Sequence, residues 1–257
     1  MKKFNSFLAI TFAAAVGLTL ALTAVSSAAT TYNGGGNLVD AGSWTAGVPT
    51  AGNDGVINTS GTITSSFGGF SAGTIVNQTA GDIDFGTRTF NMQNGTWNLS
   101  GGSFSLSAGP NQFDGQWTPN GAAVVFNISG GTLTNTALVN GPLNGARMTF
   151  SGAGVAELAA FWGGVNGTLD FQTGWSGSFT VDTYSAALWE SLFTTGNGNL
   201  NGTLNGGSID AATFNSTFQV TNGGTTLAPF VIPEPSTFVL AALGLLGLLG
   251  WGRRRRR

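Results

Sequence analysis

Catalysis in this chain would have to rest on carboxylates. The sequence has no histidine and no cysteine. Imidazole bases, thiolate nucleophiles, disulfides and ordinary zinc sites are therefore ruled out. Lys2 and Lys3 are the only lysines, and Arg88 and Arg147 are the only arginines before a run from Arg253 to Arg257. Asp82 and Asp84 lie two apart, which puts both on one face of a strand. Asp114 lies downstream, and Arg88 could contact an anionic sugar. Two carboxylates at a suitable separation hydrolyse glycosidic bonds. Asp-x-Asp has no specificity of its own, however, and solvated acids on an outer strand face share the spacing. No catalytic residue is assigned, and the chain is read as not an enzyme. Glu157 and Glu190 fall in segments of helical character and read as surface residues. Calcium takes oxygen ligands, but Asp40, Asp54 and the Asp82/Asp84 pair are isolated, and neither common calcium-loop pattern is present. No metal or cofactor is expected.

Tryptophan offers another kind of site. Trp44, Trp97, Trp117, Trp162, Trp175 and Trp189 lie between the chain's two ends. An exposed indole stacks on a sugar ring, whereas core packing is its commoner fate in a β protein. Trp97 and Trp117 are the candidate glycan contacts. Asn-x-Thr triplets at Asn94, Asn166 and Asn201 read as Asn-Gly turns.

The elements that would hold these residues are short strands. Apolar residues recur at i and i+2 in Gly61–Thr64, Gly73–Val76, Asp82–Phe85, Thr96–Leu99 and Ser103–Leu106. Gly-Thr-apolar triplets start at Gly61, Gly73, Gly95, Gly131, Gly167 and Gly202, with Gly-Ser variants at Gly102, Gly177 and Gly207. The intervals are irregular. The pattern means an all-β fold. It favours a right-handed parallel β-solenoid, in which coils bury a continuous core by stacking, with a β-sandwich as the alternative. Val155–Trp162 and Ser185–Thr195 are helix candidates, the latter able to cover an edge or an open end. Strands resume at Thr168–Phe171, Ser178–Asp182, Thr203–Leu204 and Thr217–Val220. The β-rich domain is expected over 30–220 and a linker over 221–232.

Both ends carry addresses. Lys2 and Lys3, the apolar run Phe7–Leu22 and the small residues Ser26–Ala29 follow the order of a secretory signal, 1–29, with a separate apolar helix and a cut after Ala28 or Ala29 by signal peptidase. Between the ends, two cations face ten carboxylates, a net formal charge of −8. That balance gives no footprint for nucleic acid. At the other end, Pro233-Glu234-Pro235 precedes an apolar stretch, Ser236–Gly252, and then Arg253, Arg254, Arg255, Arg256 and Arg257. A helix of that length rises about 25 Å, at the short limit for a transmembrane helix. The arginine cluster stays cytoplasmic and halts export with the body outside. The prolines keep the preceding segment extended and open to an enzyme.

Residues 233–257 resemble the PEP-CTERM sorting signal, with motif, apolar helix and arginine cluster in order. The resemblance implies recognition by an exosortase and cleavage near the motif. Before processing, the chain would be membrane-anchored through its C-terminal helix; afterwards it would lie at the cell surface or in an extracellular matrix. Association with an exopolysaccharide or biofilm matrix, in a structural or adhesive role, is implied. The alternative is a surface-displayed carbohydrate-binding or polysaccharide-degrading protein. The opening stretch, with Asp40–Trp44, Gly47-Val48-Pro49 and Asp54–Ile57, is similar to the leading segment of autotransporter-like β-helical surface proteins. Trp44 would then cap the first coil and Pro49 would fix a turn.

Overall fold

The computed structural model describes residues 29–107, 124–140, 144–162, 166–196 and 200–230. The signal helix, the transmembrane helix, the sorting motif, the arginine cluster, Asp114 and Trp117 lie outside the described residues. Among those described, no helix is long and apolar enough to cross a membrane.

The described residues are mostly β, with two α-helices. Its strands are β1 (Thr30–Thr31), β2 (Gly55–Ile57), β3 (Gly61–Thr62), β4 (Ile75–Gln78), β5 (Asp82–Asp84), β6 (Gly95–Leu99), β7 (Ser103–Leu106) and β8 (Val124–Ile128). There follow β9 (Thr132–Asn140), β10 (Arg147–Phe150), β11 (Val155–Trp162), β12 (Gly167–Phe171) and β13 (Phe179–Val181). The last part holds α1 (Ala186–Thr194), β14 (Leu200–Leu204), α2 (Ala211–Thr217), β15 (Phe218–Thr221) and β16 (Thr226–Pro229). The strands form two sheets of eight. One runs β1-β2-β4-β6-β8-β10-β12-β14, the other β15-β16-β13-β11-β9-β7-β5-β3.

From β2 to β14 the chain alternates between the sheets, and each strand pairs in parallel with the next strand of its own sheet. Alternation of buried and half-buried residues explains why such short pieces hold. In β6 the pattern places Gly95, Trp97 and Leu99 inward and Thr96 and Asn98 outward. Inward residues of successive strands stack. Trp97 lies on Phe126 with ring centroids 6.2 Å apart and planes within 7°, and Phe104 meets both edge-on. Burying an aromatic side chain of this kind contributes about 1.5–3 kcal/mol. Outward residues stack too. Asn98 donates to Asn77, and Asn127 to Asn98, at 2.7 Å in each case. Asn77 and Asn98 are 21 residues apart.

The two ends of the stack are built differently. At the start, Trp44 is buried, donates its indole N–H to the Leu38 carbonyl at 2.9 Å and lies edge-on to Tyr32. Burial raises the Tyr32 phenol pKa. Pro49 is buried just before the turn closed by mutual hydrogen bonds of Thr50 and Asn53. At the far end, α1 packs on β14, with the Phe193 ring over Gly202. Trp189, Leu192 and Phe193 form the buried side of α1, while Leu188 stays partly exposed.

Three expectations are corrected. Asn201-Gly202 is no turn but lies inside β14, paired with β12. Val155–Trp162 is strand β11, not a helix. Its Ala and Leu residues favour a helix, but parallel partners on both sides, β9 and β13, override that preference. Residues 221–232 are not simply a linker, because Thr226–Pro229 forms β16, antiparallel to both β13 and β15.

Candidate functional site

Trp97 is wholly buried and offers no face to a sugar ring. Its indole N–H donates to Gln78 Oε1 at 3.3 Å, and the Gln78 amide nitrogen donates to the carbonyls of Gly81 and Ser103 at 3.0 and 2.8 Å. The residue is a core element tied to a buried amide. The aromatic stacking around it outweighs any benefit of exposing the ring.

Asp82 and Asp84 do share the outward side of β5. Their partners are in the next coil. Ser103 Oγ donates to Asp82 at 2.8 Å, and Ser105 Oγ to Asp84 at 3.3 Å. Asp84 also accepts from the Gly86 N–H at 2.7 Å. These carboxylates join strands, and Arg88 lies exposed in the turn beyond them.

A groove does open elsewhere on the same sheet. Thr134, Glu157 and Thr180 stand in register on β9, β11 and β13. With Asn135, Thr136, Leu158, Ala159, Asp182 and Asn222 they line an open cavity of about 670 Å³. Glu157 and Asp182 supply two carboxylates. Asp182 lies two residues beyond Thr180, the register partner of Glu157. Strand spacing and rise put their Cα atoms about 8 Å apart. None of these lining residues is aromatic or cationic. Hydroxyls, amides and carboxylates can pair with the hydroxyls of a neutral sugar or with an amine. An anionic ligand would be repelled. Among the described residues, no group of three or more acids could hold a metal ion.

Asp170 carries the most partners of any carboxylate described. It is 2% exposed. It accepts from Thr203 Oγ1, the Gly206 N–H and Gln172 Nε2, each at 2.7 Å, and faces Arg147 at 3.7 Å. It therefore fastens β14 and its following turn to β12. Neither Asp170 nor the groove was singled out from sequence. The available signal was register. Asp170 occupies the column that runs through Asn77, Asn98, Asn127 and Thr149. Glu157 was masked by the helical composition of its segment.

No curated protein and no solved structure matches the chain, so the autotransporter-like resemblance of its opening stretch gains no support from them. A family model does match the C-terminal end. Residues 231–257 match the PEP-CTERM protein-sorting motif. This span contains Pro233, Glu234, Pro235 and the run Arg253–Arg257. The chain thus carries a PEP-CTERM protein-sorting motif, the C-terminal signature of an exported, surface-sorted exosortase substrate.

Proposed function

We propose that this is a non-enzymatic surface or matrix protein, structural or adhesive within an extracellular polysaccharide matrix, whose body is a scaffold. The observation that carries the reading is a sorting motif following directly on a stacked β body. We read that body as a parallel β-solenoid. Parallel pairing between every second strand supports this, since sandwiches pair antiparallel. Signal peptidase releases the amino end near Ala29. The apolar tail holds the chain in the membrane until an exosortase cuts near Pro233.

Mass spectrometry of the protein from its native host tests this. The expected mature chain begins at Ala29 or Thr30 and ends near Pro233–Ser236, with or without an added glycan or lipid mass. A chain still ending at Arg257 would sink the processing claim.

The groove across β9, β11 and β13 favours a second reading, a surface-displayed glycan binder. Its test is binding of matrix polysaccharide by the wild type and by Glu157→Gln with Asp182→Asn. Binding that vanishes in a normally folded variant would favour it over the scaffold reading.

A further inference from the structure

The connection between body and sorting motif is far shorter than its composition suggests. β16 lies between β13 and β15, with four register pairs to β15 and two to β13. Thr226 and Leu227 are buried. Thr226 Oγ1 is hydrogen-bonded to Thr180 Oγ1 at 2.9 Å and accepts from Asn222 Nδ2 at 3.0 Å. Beyond β16, the Phe230 N–H donates to the Thr217 carbonyl at 2.7 Å. Fixed backbone therefore extends through Phe230, and only Val231 and Ile232 remain before Pro233. Two residues can span no more than about 7 Å in any conformation.

An enzyme that cuts an extended peptide holds residues on both sides of the bond. For a cut near Pro233–Ser236, Pro229 and Phe230 fall within the amino-side reach. Both are already engaged with the body. The geometry points to a restraint: pairing of β16 into the end of the body slows processing at the sorting motif, because the enzyme gains its grip only when the last strand loosens. This rests on the exosortase reading above. The strand is unevenly held. Thr226 and Leu227 pair on both sides, whereas Ala228 and Pro229 pair with β15 alone. Opening would begin at Phe230, and the buried Thr226–Leu227 step would resist it most.

Pulse-chase labelling in the native host, reading loss of the tail by mass, tests the restraint. Three chains are compared: wild type, a chain with a flexible Gly/Ser spacer of about ten residues between Ile232 and Pro233, and Thr226→Val. The spacer leaves the body untouched and should speed tail loss severalfold. Thr226→Val should also speed it, with no further gain when combined with the spacer. Equal or slower processing of the spacer chain overturns the restraint and leaves the sorting reading standing. No tail loss in the wild type overturns both.

Discussion

Between β4 and β8 the chain repeats one unit, and beyond β13 it abandons that unit. In the first region, strands pair in parallel, Trp97 stacks on Phe126 inside, and Asn77, Asn98 and Asn127 form a file outside. In the second, α1 and α2 interrupt the alternation and β16 runs antiparallel. Phe193, Phe214 and Phe218 pack on one another there and continue the core from Phe171 of the last regular coil. The difference has a physical reason. Parallel coils leave an open edge to which another coil, or another molecule, can pair. A stack needs a terminal structure that breaks the pattern and covers its core. The helices and the antiparallel strand do this, and Asp170 fastens β14 to the last regular coil.

The strongest challenge to this contrast is truncation of one buried tryptophan in each region. Trp97→Ala should lower stability by about 4 kcal/mol, read as a lower urea midpoint with unchanged slope. Trp189→Ala should cost less, about 3 kcal/mol. Its indole N–H has no hydrogen-bond partner among the described residues, so the substitution also removes an uncompensated buried group. A Trp97→Ala chain of unchanged stability and reduced glycan binding would restore the discarded role of that residue.

Glycine gives a second, smaller contrast. Gly102 has φ +71°, and a Cβ there would strike the Gly81 carbonyl of the preceding coil. Gly206, in the turn after β14, has φ +77° with nothing within 4 Å. Both substitutions to alanine incur left-handed strain, but Gly102→Ala also forces two coils apart. The expected losses are about 3 kcal/mol for Gly102→Ala and about 1 kcal/mol for Gly206→Ala, measured by denaturant unfolding. Equal losses would mean that coil-to-coil approach does not limit stability.

This contrast also explains what could be read from sequence. Gly-Thr-apolar triplets at Gly61, Gly95 and Gly167 open β3, β6 and β12, and at Gly61 and Gly95 a Cβ would strike the Tyr32 ring and the Thr74 carbonyl. Their spacing looked irregular because the triplets sample both sheets and because the coils are unequal in length. Asn98 follows Asn77 by 21 residues, whereas Asn127 follows Asn98 by 29. The helix at Ala186–Thr194 was legible from its apolar spacing. β11 was not, because Ala, Glu and Leu favour a helix and only its neighbours make it a strand. With β11 misread, the placement of Glu157 in the groove was out of reach. β16 was hidden by its brevity, and its partners are distant in sequence, as Phe179 pairs with Leu227.

The smallest effect concerns α2 alone. Asp210 caps this helix and accepts the Thr213 N–H at 2.8 Å. Hydrogen bonds from the Thr213 side chain and backbone hold its carboxyl below the usual aspartate range. A lowered folded-state value means that the charged cap stabilises the helix above the ordinary aspartate pKa. That contribution is lost as pH falls from about 4 through the lowered value. Asn at an N-cap keeps an acceptor but does not titrate. Asp210→Asn should therefore flatten the loss of amide-exchange protection at Thr213 below about pH 4, with no change at Trp97 or Phe126. If protection at those coil residues moved together with Thr213, the far end and the stack would open as one unit. The covering end would then be part of the stack's own cooperativity and not a separately adjustable closure.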